Sequence, residues 1–342
     1  MSIAVGLVGF GFSARVLQLP LIEACGLRVV GVVTRQADAV RELMPKAPVL
    51  PDLTALLSLP RLDLVVIATP NHLHLPQALA ALERGKHVVI EKPMALTVSD
   101  CDCLIEAAAQ HNRRLAVFHN RRWDSDFLTL QQLIVRETLG PIVSFEARWD
   151  RYRPTVPERW RERPECGGGL LYDLGAHLID QALCLFGLPD WLQAEVFAQR
   201  AGALADDGFA IRMGKGNLRI VLGASSIAAD SALRYRLHGL KASYRKGGFD
   251  LQEQQLRDGV SPHDASFGIE PPMQWGELID GESQAVSTLQ PERGDWCAFY
   301  RAMRASIEAG TDVPVPAQQA RRVIRIIDAA RESSATGCRI DL

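Results

Sequence analysis

The sequence lacks the features that would direct a protein to a membrane or to nucleic acid. Its longest apolar runs, such as LVVIA at 64–68, are far too short to span a bilayer. Its net charge of −2 comes without a basic block, so nothing attracts it to nucleic acid or to an anionic membrane surface. The N-terminus has no basic region before its first patterned strand, from which we expect no signal peptide and a cytoplasmic location.

Cysteine is scarce and scattered. The seven cysteines are odd in number and form no C-x-x-C motif, so a disulfide framework is not predicted. Cys101 and Cys103 stand two apart at the start of a predicted helix. A metal pair is one interpretation of them, but small, buried, reduced thiols are the better one, and we predict no metal site.

The first 120 residues alternate short apolar runs with helical patterns. Runs rich in Val and Ile, such as IAVGLV (3–8) and LDLVVIA (62–68), are separated by amphipathic segments such as 97–111, where Thr97 and Asp100 have the spacing of a helix cap. Strands that are apolar on both faces and alternate with helices indicate a parallel sheet covered by helices. We predict a doubly wound, Rossmann-type NAD(P)-binding domain over residues 1–120.

After residue 120 the pattern changes. Short strand-like runs separated by Gly and Asp turns fill 190–250 and predict an antiparallel sheet. We predict an α+β domain over residues 121–342, with a large, mostly antiparallel open sheet, for substrate binding and oligomerisation. Its C-terminal helix is a candidate to pack back on the first domain. The segment 251–290 has too little pattern for an assignment.

A glycine motif follows the first predicted strand directly. In GLVGFGFSA, the G-x-G-x-x-A spacing lets the chain turn tightly at the first glycine, lets a pyrophosphate approach the second, and lets the helix pack closely at the alanine. The helix N-terminus then offers its N–H groups to the phosphates. A glycine turn that binds no ligand can have the same sequence pattern, but the strand–turn–helix context favours a dinucleotide. The predicted cofactor-binding residues here are Gly9, Phe10, Gly11, Phe12, Ser13 and Ala14.

The end of the second strand bears on the choice of cofactor. An NAD site usually carries an acid there, whereas this sequence has Thr34 and Arg35 and no carboxylate before Asp38. An arginine can pair with the 2′-phosphate of NADP, which an acid would repel. We therefore favour NADP(H) over NAD(H), although an exposed turn arginine would look the same.

The next strand ends in ATPNHLHLP. Because ligands of such sheets collect at the carboxyl ends of strands, Thr69, Pro70 and Asn71 should border the nicotinamide. His72 and His74 suit a metal poorly at their spacing, so we interpret them as polar or capping residues beside the cleft, with His74 counted among the cofactor contacts.

The stretch EKPMALTVSD follows the strand HVVI. Taken alone, Glu91 and Lys92 could be a solvated charge pair in a loop. Their place at the carboxyl end of a predicted parallel strand puts them instead beside the predicted nicotinamide, and we include both among the cofactor contacts.

Together these motifs resemble the Gfo/Idh/MocA family of NAD(P)-dependent oxidoreductases, which act mainly on sugars and cyclitols. The resemblance covers essentially the whole chain. It is carried by the glycine motif, ATPNHLH, GKHVVIEKP and GGGLLYDLGAHLIDQ, and AVFHNRRWDSDFLTL (116–130) resembles the scyllo-inositol dehydrogenase-like branch. It implies hydride transfer between the nicotinamide and a secondary hydroxyl or carbonyl, and often a cis Lys92–Pro93 bond.

The resemblance also implies the catalytic residues, which are Lys92, Asp173 and His177. We assign His177 as proton acceptor in the oxidation direction, Lys92 as the group that stabilises the developing alkoxide, and Asp173 as an orienting group. Asp173 and His177 stand four apart on a predicted helix and so share a face. An ordinary surface pair has the same spacing, but the triple glycine just before the helix favours the close approach of backbone to a ligand. A metal site completed by His119 or Asp180 has no motif support for its third ligand.

The arginine-rich segments HNRRWD (119–124) and RWDRYRP (148–154) follow predicted strands near the expected cleft. An ordinary solvated surface could have the same sequence. From them we select Asn120, Arg122, Trp123 and Tyr152 as substrate contacts, beside the catalytic residues, with Asn120 also expected to contact the cofactor. The arginines raise an anionic substrate, a sugar acid or a phosphorylated sugar, as an alternative to a neutral one.

Two other functions fit the same fold. A non-catalytic NAD(P)-binding regulator or sensor needs none of the catalytic residues, and a reductase of C=C or C=N bonds has no need of His177. We also expect the open sheet to expose apolar area that a second subunit covers, which predicts a homodimer or homotetramer.

Overall fold

The structure, a computed structural model, describes residues 2–342 and divides into two compact units. The first unit runs to Asn120 and also includes Gln252–Phe267 and Trp296–Arg321. The second comprises Arg121–Leu251, Gly268–Asp295 and Arg322–Leu342. Two late segments of the chain, one of them within the stretch without a sequence assignment, thus belong to the unit that begins at the N-terminus.

The strands are numbered in chain order. They are β1 Ala4–Val8, β2 Arg28–Val33, β3 Val49–Leu50, β4 Leu64–Ile67, β5 His87–Ile90, β6 Leu115–Val117, β7 Ile142–Arg148, β8 Trp191–Phe197, β9 Gly208–Lys215, β10 Leu218–Ser225, β11 Tyr235–Gly239, β12 Ala242–Lys246, β13 Gly276–Asp280, β14 Val286–Leu289 and β15 Ile340–Asp341.

The helices follow the same order. They are α1 Leu19–Ala24, α2 Ala37–Leu43, α3 Leu53–Leu57, α4 His74–Glu83, α5 Val98–Gln110, α6 Ser125–Val135, α7 Ala176–Phe186, α8 Gln252–Arg257, α9 Cys297–Ala309 and α10 Ala317–Thr336, and π-helical segments at Ser13–Gln18 and Leu171–Gly175 lead into α1 and α7. Short 3₁₀ turns include Asn71–Leu73 and Asn120–Trp123.

The first unit is built on a six-stranded parallel sheet in the order β3-β2-β1-β4-β5-β6. Val8 aligns with Val33 and Ile67, and Ile67 with Ile90, so the strands end together at one edge. The strand order reverses between β1 and β4, the switch point at which ligands bind in sheets of this kind. The predicted Rossmann-type sheet is confirmed.

Local sequence accounts for these elements. All residues of β4 are buried, as expected for a Val- and Ile-rich strand covered on both faces. The Thr97 side chain accepts a hydrogen bond from the Asp100 N–H at 3.1 Å, which caps α5 as the sequence predicts. The same helix buries Cys101 but leaves Cys103 exposed, so the expectation that both thiols are buried is wrong for Cys103.

The second unit is built on a nine-stranded sheet in the order β14-β13-β12-β11-β7-β10-β9-β8-β15. Its neighbours are antiparallel except for β7 and β10. The predicted large, mostly antiparallel open sheet is therefore confirmed. Helix α7 is buried without interruption from Ala176 to Ala182, and α7 together with the π-helical segment before it lies against β10.

The exposed positions of this sheet differ from the expectation of an apolar face. They carry mainly charged and polar side chains, among them Arg212, Arg236 and Arg245. Arg236 pairs with Glu146 of the neighbouring strand at 3.6 Å, and Arg245 pairs with Glu277. Cross-strand pairs of opposite charge stabilise such a face in water. Within residues 2–342, no helix is long and apolar enough to cross a membrane.

Candidate active site

The glycine loop has the geometry that a dinucleotide requires. Gly9 has φ +90°, and a Cβ at this position would stand 2.6 Å from the Ala68 carbonyl oxygen, so only glycine fits the turn. A Cβ built on Gly11 would meet no atom within 4 Å, which leaves the backbone open to a bulky phosphate. Ala14 is fully buried. The residues present therefore fit a dinucleotide.

The segment after the loop is a π-helix, which the glycine motif does not predict. Within Ser13–Gln18, the Ser13 hydroxyl donates a hydrogen bond to the Glu91 carboxylate, and the Gln18 amide nitrogen donates another at 2.6 Å. The Tyr300 hydroxyl of α9 donates a hydrogen bond to the side-chain amide oxygen of Gln18. Single π turns occur often at functional sites. Here the segment connects the glycine loop to the carboxylate that precedes Lys92.

Glu91 is held from several sides. Besides Ser13 and Gln18, the Lys92 N–H lies 3.1 Å from its carboxylate. Burial raises the pKa of Glu91, while the Ser13 hydrogen bond, the Lys92 charge and the Gln18 hydrogen bond oppose the rise. Lys92 itself is half-buried and joined to Pro93 by a cis peptide bond, as the family resemblance implies.

His74 connects two loops at this edge of the sheet. Its Nδ1 lies 2.9 Å from the Pro93 carbonyl oxygen and its Nε2 lies 3.0 Å from the Thr69 carbonyl oxygen. Complete burial lowers the pKa of His74 to about 4, although the two carbonyl contacts act in the opposite direction. The side chain thus fixes the end of β4 against the turn that contains Lys92.

The end of β2 carries a basic side chain and no carboxylate before Asp38. Arg35 is exposed, and no ion pair within residues 2–342 involves it. The nearest acid along the chain, Asp38, pairs with Arg41 at 2.7 Å. The Thr34 hydroxyl accepts a hydrogen bond from the Gln36 N–H at 3.0 Å.

A residue that sequence reasoning missed lies over the glycine loop. The Arg257 guanidinium of α8 stands 4.2 Å from the centre of the Phe12 ring, within range of a cation–π contact. Two hydrogen bonds at 2.7 and 3.2 Å join it to Glu253. The segment is held by Gln252, whose side chain accepts a hydrogen bond from the Trp296 N–H. Helix α8 has six residues and no apolar periodicity, so the sequence pattern did not predict this contact.

In the second unit, Asp173 lies on the other π-helical segment, Leu171–Gly175. Its N–H donates to the Gly169 carbonyl oxygen at 3.0 Å, and its carboxylate lies 3.6 Å from the Arg161 guanidinium. Gly169 has φ +113°, and a Cβ there would collide with the Asp206 carboxylate. Asp206 in turn accepts a hydrogen bond from the Leu171 N–H. The triple glycine therefore serves the close approach of a carboxylate from this chain.

His177 lies one turn further along, at the start of α7, and is almost wholly buried. Its ring stacks on Trp149, with centres 5.7 Å apart. The guanidinium groups of Arg121 and Arg234 lie 4.5 and 4.6 Å from the centre of the same Trp149 ring. The histidine thus stacks on an aromatic ring that guanidinium groups also contact.

The predicted substrate residues have different environments. Arg122 makes a two-pronged ion pair with Asp180, at 2.6 and 2.8 Å, and both side chains are largely buried. Trp123 is half-buried and Tyr152 is 64% exposed, while Asn120 is buried at the end of the first unit. Among the described residues, no group of three or more His, Cys, Asp or Glu side chains could hold a metal ion.

The predicted residues thus divide between the units. The first unit brings the glycine loop, Glu91 and Lys92 into one hydrogen-bonded set, with His74 and Thr69 joined to the same turn. The second unit has Asp173 and His177 on consecutive turns of one helical segment, with Arg122, Trp123 and Tyr152 elsewhere in the same unit.

Comparison with known families agrees with this division. A model described as an oxidoreductase family, NAD-binding Rossmann fold, matches residues 3–119, and its companion, the C-terminal alpha/beta domain, matches residues 131–342. The chain belongs to the Gfo/Idh/MocA oxidoreductase family. It is an enzyme of the oxidoreductase class whose Rossmann domain serves a nicotinamide cofactor, as the sequence predicts.

Individual relatives are similar over nearly their full length. The chain is 39% identical over 336 residues to the scyllo-inositol 2-dehydrogenase (NADP(+)) IolW of Bacillus subtilis, covering 97% of this chain and 94% of that protein. The same identity relates it to the oxidoreductase YdgJ of Escherichia coli, over 97% and 96% of the two chains. The solved oxidoreductase yvaA of Bacillus subtilis superposes with a TM-score of 0.97 at 38% identity, over 100% of this chain and 98% of that one.

Proposed function

We propose that the protein is an NADP(H)-dependent oxidoreductase that interconverts a secondary hydroxyl and a carbonyl on a cyclitol, such as an inositol, or on a sugar. The observation that carries the proposal is Lys92. Lys92 stands two residues after the parallel strand β5, and its main chain is tied to the glycine loop through Glu91. The similarity to a scyllo-inositol 2-dehydrogenase (NADP(+)) supports the substrate class.

The preference for NADP(H) rests on the end of β2. Arg35 is exposed and takes no part in an ion pair within residues 2–342, while the carboxylate of Asp38 is engaged by Arg41. A guanidinium suits a phosphate monoester because its N–H groups can contact two oxygens at once. The residues proposed to hold the rest of the cofactor are those of the glycine loop together with Thr69, Pro70, Asn71 and Asn120.

When bound, the nicotinamide accepts or supplies the hydride. The protein has to manage the proton on the reacting oxygen. We assign Lys92 to donate a hydrogen bond to that oxygen and to stabilise negative charge on it, and His177 to accept the proton during oxidation. Asp173 orients a substrate hydroxyl. Glu91 and His74 act as positioning residues for Lys92, because their side chains are occupied by groups of the protein.

Substrate contacts are proposed for Asn120, Trp123 and Tyr152, in addition to the three catalytic residues. Arg122 has a different part in this proposal. Its guanidinium is already engaged by Asp180 at 2.6 and 2.8 Å, so it shapes the pocket through that pair. We also propose a homodimer or homotetramer formed through the second-unit sheet, whose charged exposed face calls for complementary ion pairs between subunits.

A panel of cyclitols and sugars, assayed with NADP⁺ and NAD⁺ at the nicotinamide absorbance, tests the proposal. We expect oxidation of at least one inositol or aldose, faster with NADP⁺ at subsaturating cofactor. Tight NADP(H) binding without turnover of any polyol or sugar would contradict it and favour a sensor.

A further inference from the structure

The second unit contains a cavity of about 300 Å³ beside Asp173. Its wall includes the arginine-rich loop that follows β7 and the first turn of the π-helical segment. The lining residues are Arg151, Arg153, Pro154, Thr155, Pro157, Arg159, Leu170, Asp173, Arg200 and Ser226. Four of the ten are arginines, and Asp173 is the one acid among them.

Two of the arginines are neutralised by carboxylates. Arg200 is buried and pairs with Asp207 at 3.0 Å and with Glu162 at 2.7 Å. Arg159 also pairs with Glu162, at 2.8 Å. These pairs hold the arginine-rich loop to the end of the sheet, and a ligand would have to break them to use either guanidinium. They are therefore the framework of the cavity.

One arginine of the wall differs from these two. Arg153 is exposed on the cavity wall, and no ion pair within the part of the chain that the structure describes involves it. Its main chain is fixed, because its N–H donates to the Ser226 carbonyl oxygen at 2.6 Å. Arg151 is held in the same way by Ser225, with its guanidinium 5.4 Å from the centre of the Trp149 ring.

We infer that this cavity binds an anionic group, a carboxylate or a phosphate monoester, carried by the polyhydroxylated substrate. Arg153 supplies the charge and the paired N–H donors, and Arg151 and the Ser226 and Thr155 hydroxyls border the same space. Asp173, which lies 3.6 Å from the Arg161 guanidinium, lines the same wall. The inference rests on the proposed function and narrows it from polyols in general to acidic ones.

A matched series of ligands tests it: an aldose, the corresponding uronic acid and the corresponding sugar phosphate. Binding to the NADP⁺-loaded enzyme is measured by calorimetry, and kcat/KM is measured alongside. We expect one anionic member to bind at least about tenfold more tightly than the neutral aldose, with Arg153→Gln abolishing that advantage. Whichever of the uronic acid and the sugar phosphate binds more tightly identifies the bound group as a carboxylate or a phosphate.

Arg325→Gln is the matched control, because it removes the same charge from an exposed position of α10. It should leave the series unchanged. Equal binding of the neutral and anionic members, or an equal loss in the two variants, would overturn the inference.

The two proposals fail in different ways. Turnover of neutral polyols without a preference for anionic ones would contradict anion binding in the cavity but would agree with the proposed function. Selective binding of the anionic member that is lost in Arg153→Gln would support anion binding in the cavity. If no compound were turned over at the same time, the proposed function would be contradicted.

Discussion

The candidate sites of the two units are built by different means. In the first, the site is made of backbone at strand ends, a glycine loop and a buried set of hydrogen-bonded side chains around Glu91. In the second, ion pairs dominate, and Arg122, Arg159 and Arg200 are all engaged by carboxylates. A dinucleotide is the same molecule in every enzyme, so main-chain geometry can recognise it. A substrate that differs between enzymes requires side chains that can be exchanged.

The largest expected effect comes from the residue at the end of β5. Lys92→Ala should lower kcat by about a thousandfold, because no other group is assigned to stabilise charge on the reacting oxygen. The cofactor Kd should change by less than about threefold, since the glycine loop and Glu91 remain. Steady-state kinetics and fluorescence titration with NADPH measure both quantities. Lys46→Ala, which removes an exposed lysine of the same unit, serves as the control.

The second unit should contribute almost as much to turnover. His177→Gln preserves a polar side chain but removes the proton acceptor, so kcat should fall by about a hundredfold and the shape of its pH profile should change. The pH profile of kcat is the measurement, with the exposed His263→Gln as control. An unchanged profile would instead favour reduction of a C=C or C=N bond.

Acid sensitivity should belong mainly to the first unit. Burial lowers the pKa of both His74 and His87 from 6.5 to about 4, with two neighbouring arginines adding to the effect at His87. Between these pH values the unfolded chain binds a proton that the folded histidine does not. The free energy of unfolding therefore falls as pH falls from 6.5 toward 4, by up to about 3 kcal/mol for His74.

His74→Gln, unfolded by urea at several pH values, should lose a corresponding part of this slope. His87→Gln should do the same, while exposed His238→Gln should retain the slope of the unchanged protein. If neither His74→Gln nor His87→Gln altered the slope, the loss of stability in acid would have to come from elsewhere in the chain.

The smallest effect concerns the choice of cofactor. Arg35→Ala should weaken NADP⁺ binding by about tenfold and leave NAD⁺ binding unchanged, because only the 2′-phosphate distinguishes them. Arg41→Ala, six residues further on and paired with Asp38, is the matched control. A parallel loss for both cofactors would assign Arg35 to the pyrophosphate or to the fold.

Much of the first unit could be predicted because its signals are local. The glycines at 9 and 11, the strand periods and Lys92 each occur within a few residues of the element that positions them. The support of Lys92 could not be predicted in this way. Tyr300 reaches Gln18 across 282 positions of the chain, and only folding brings them together.

The second unit was predictable as a fold but less so as a site. Alternating runs indicated the antiparallel sheet, and the motif located Asp173 and His177. The sequence alone does not distinguish Arg122, which pairs with Asp180, from Arg153, which takes part in no ion pair within residues 2–342. Partner choice among many arginines and carboxylates depends on tertiary distances. The same holds for α8, whose contact with Phe12 has no sequence period behind it.

The most direct test of the account is the fate of the hydride. NADPH deuterated at the reactive ring carbon is incubated with the enzyme and the keto form of a cyclitol, and the product is analysed by mass spectrometry. We expect the product to gain a single deuterium at the carbon that carried the carbonyl, in the unchanged enzyme and far more slowly in Lys92→Ala. Product without deuterium, or equal rates in the two proteins, would contradict it.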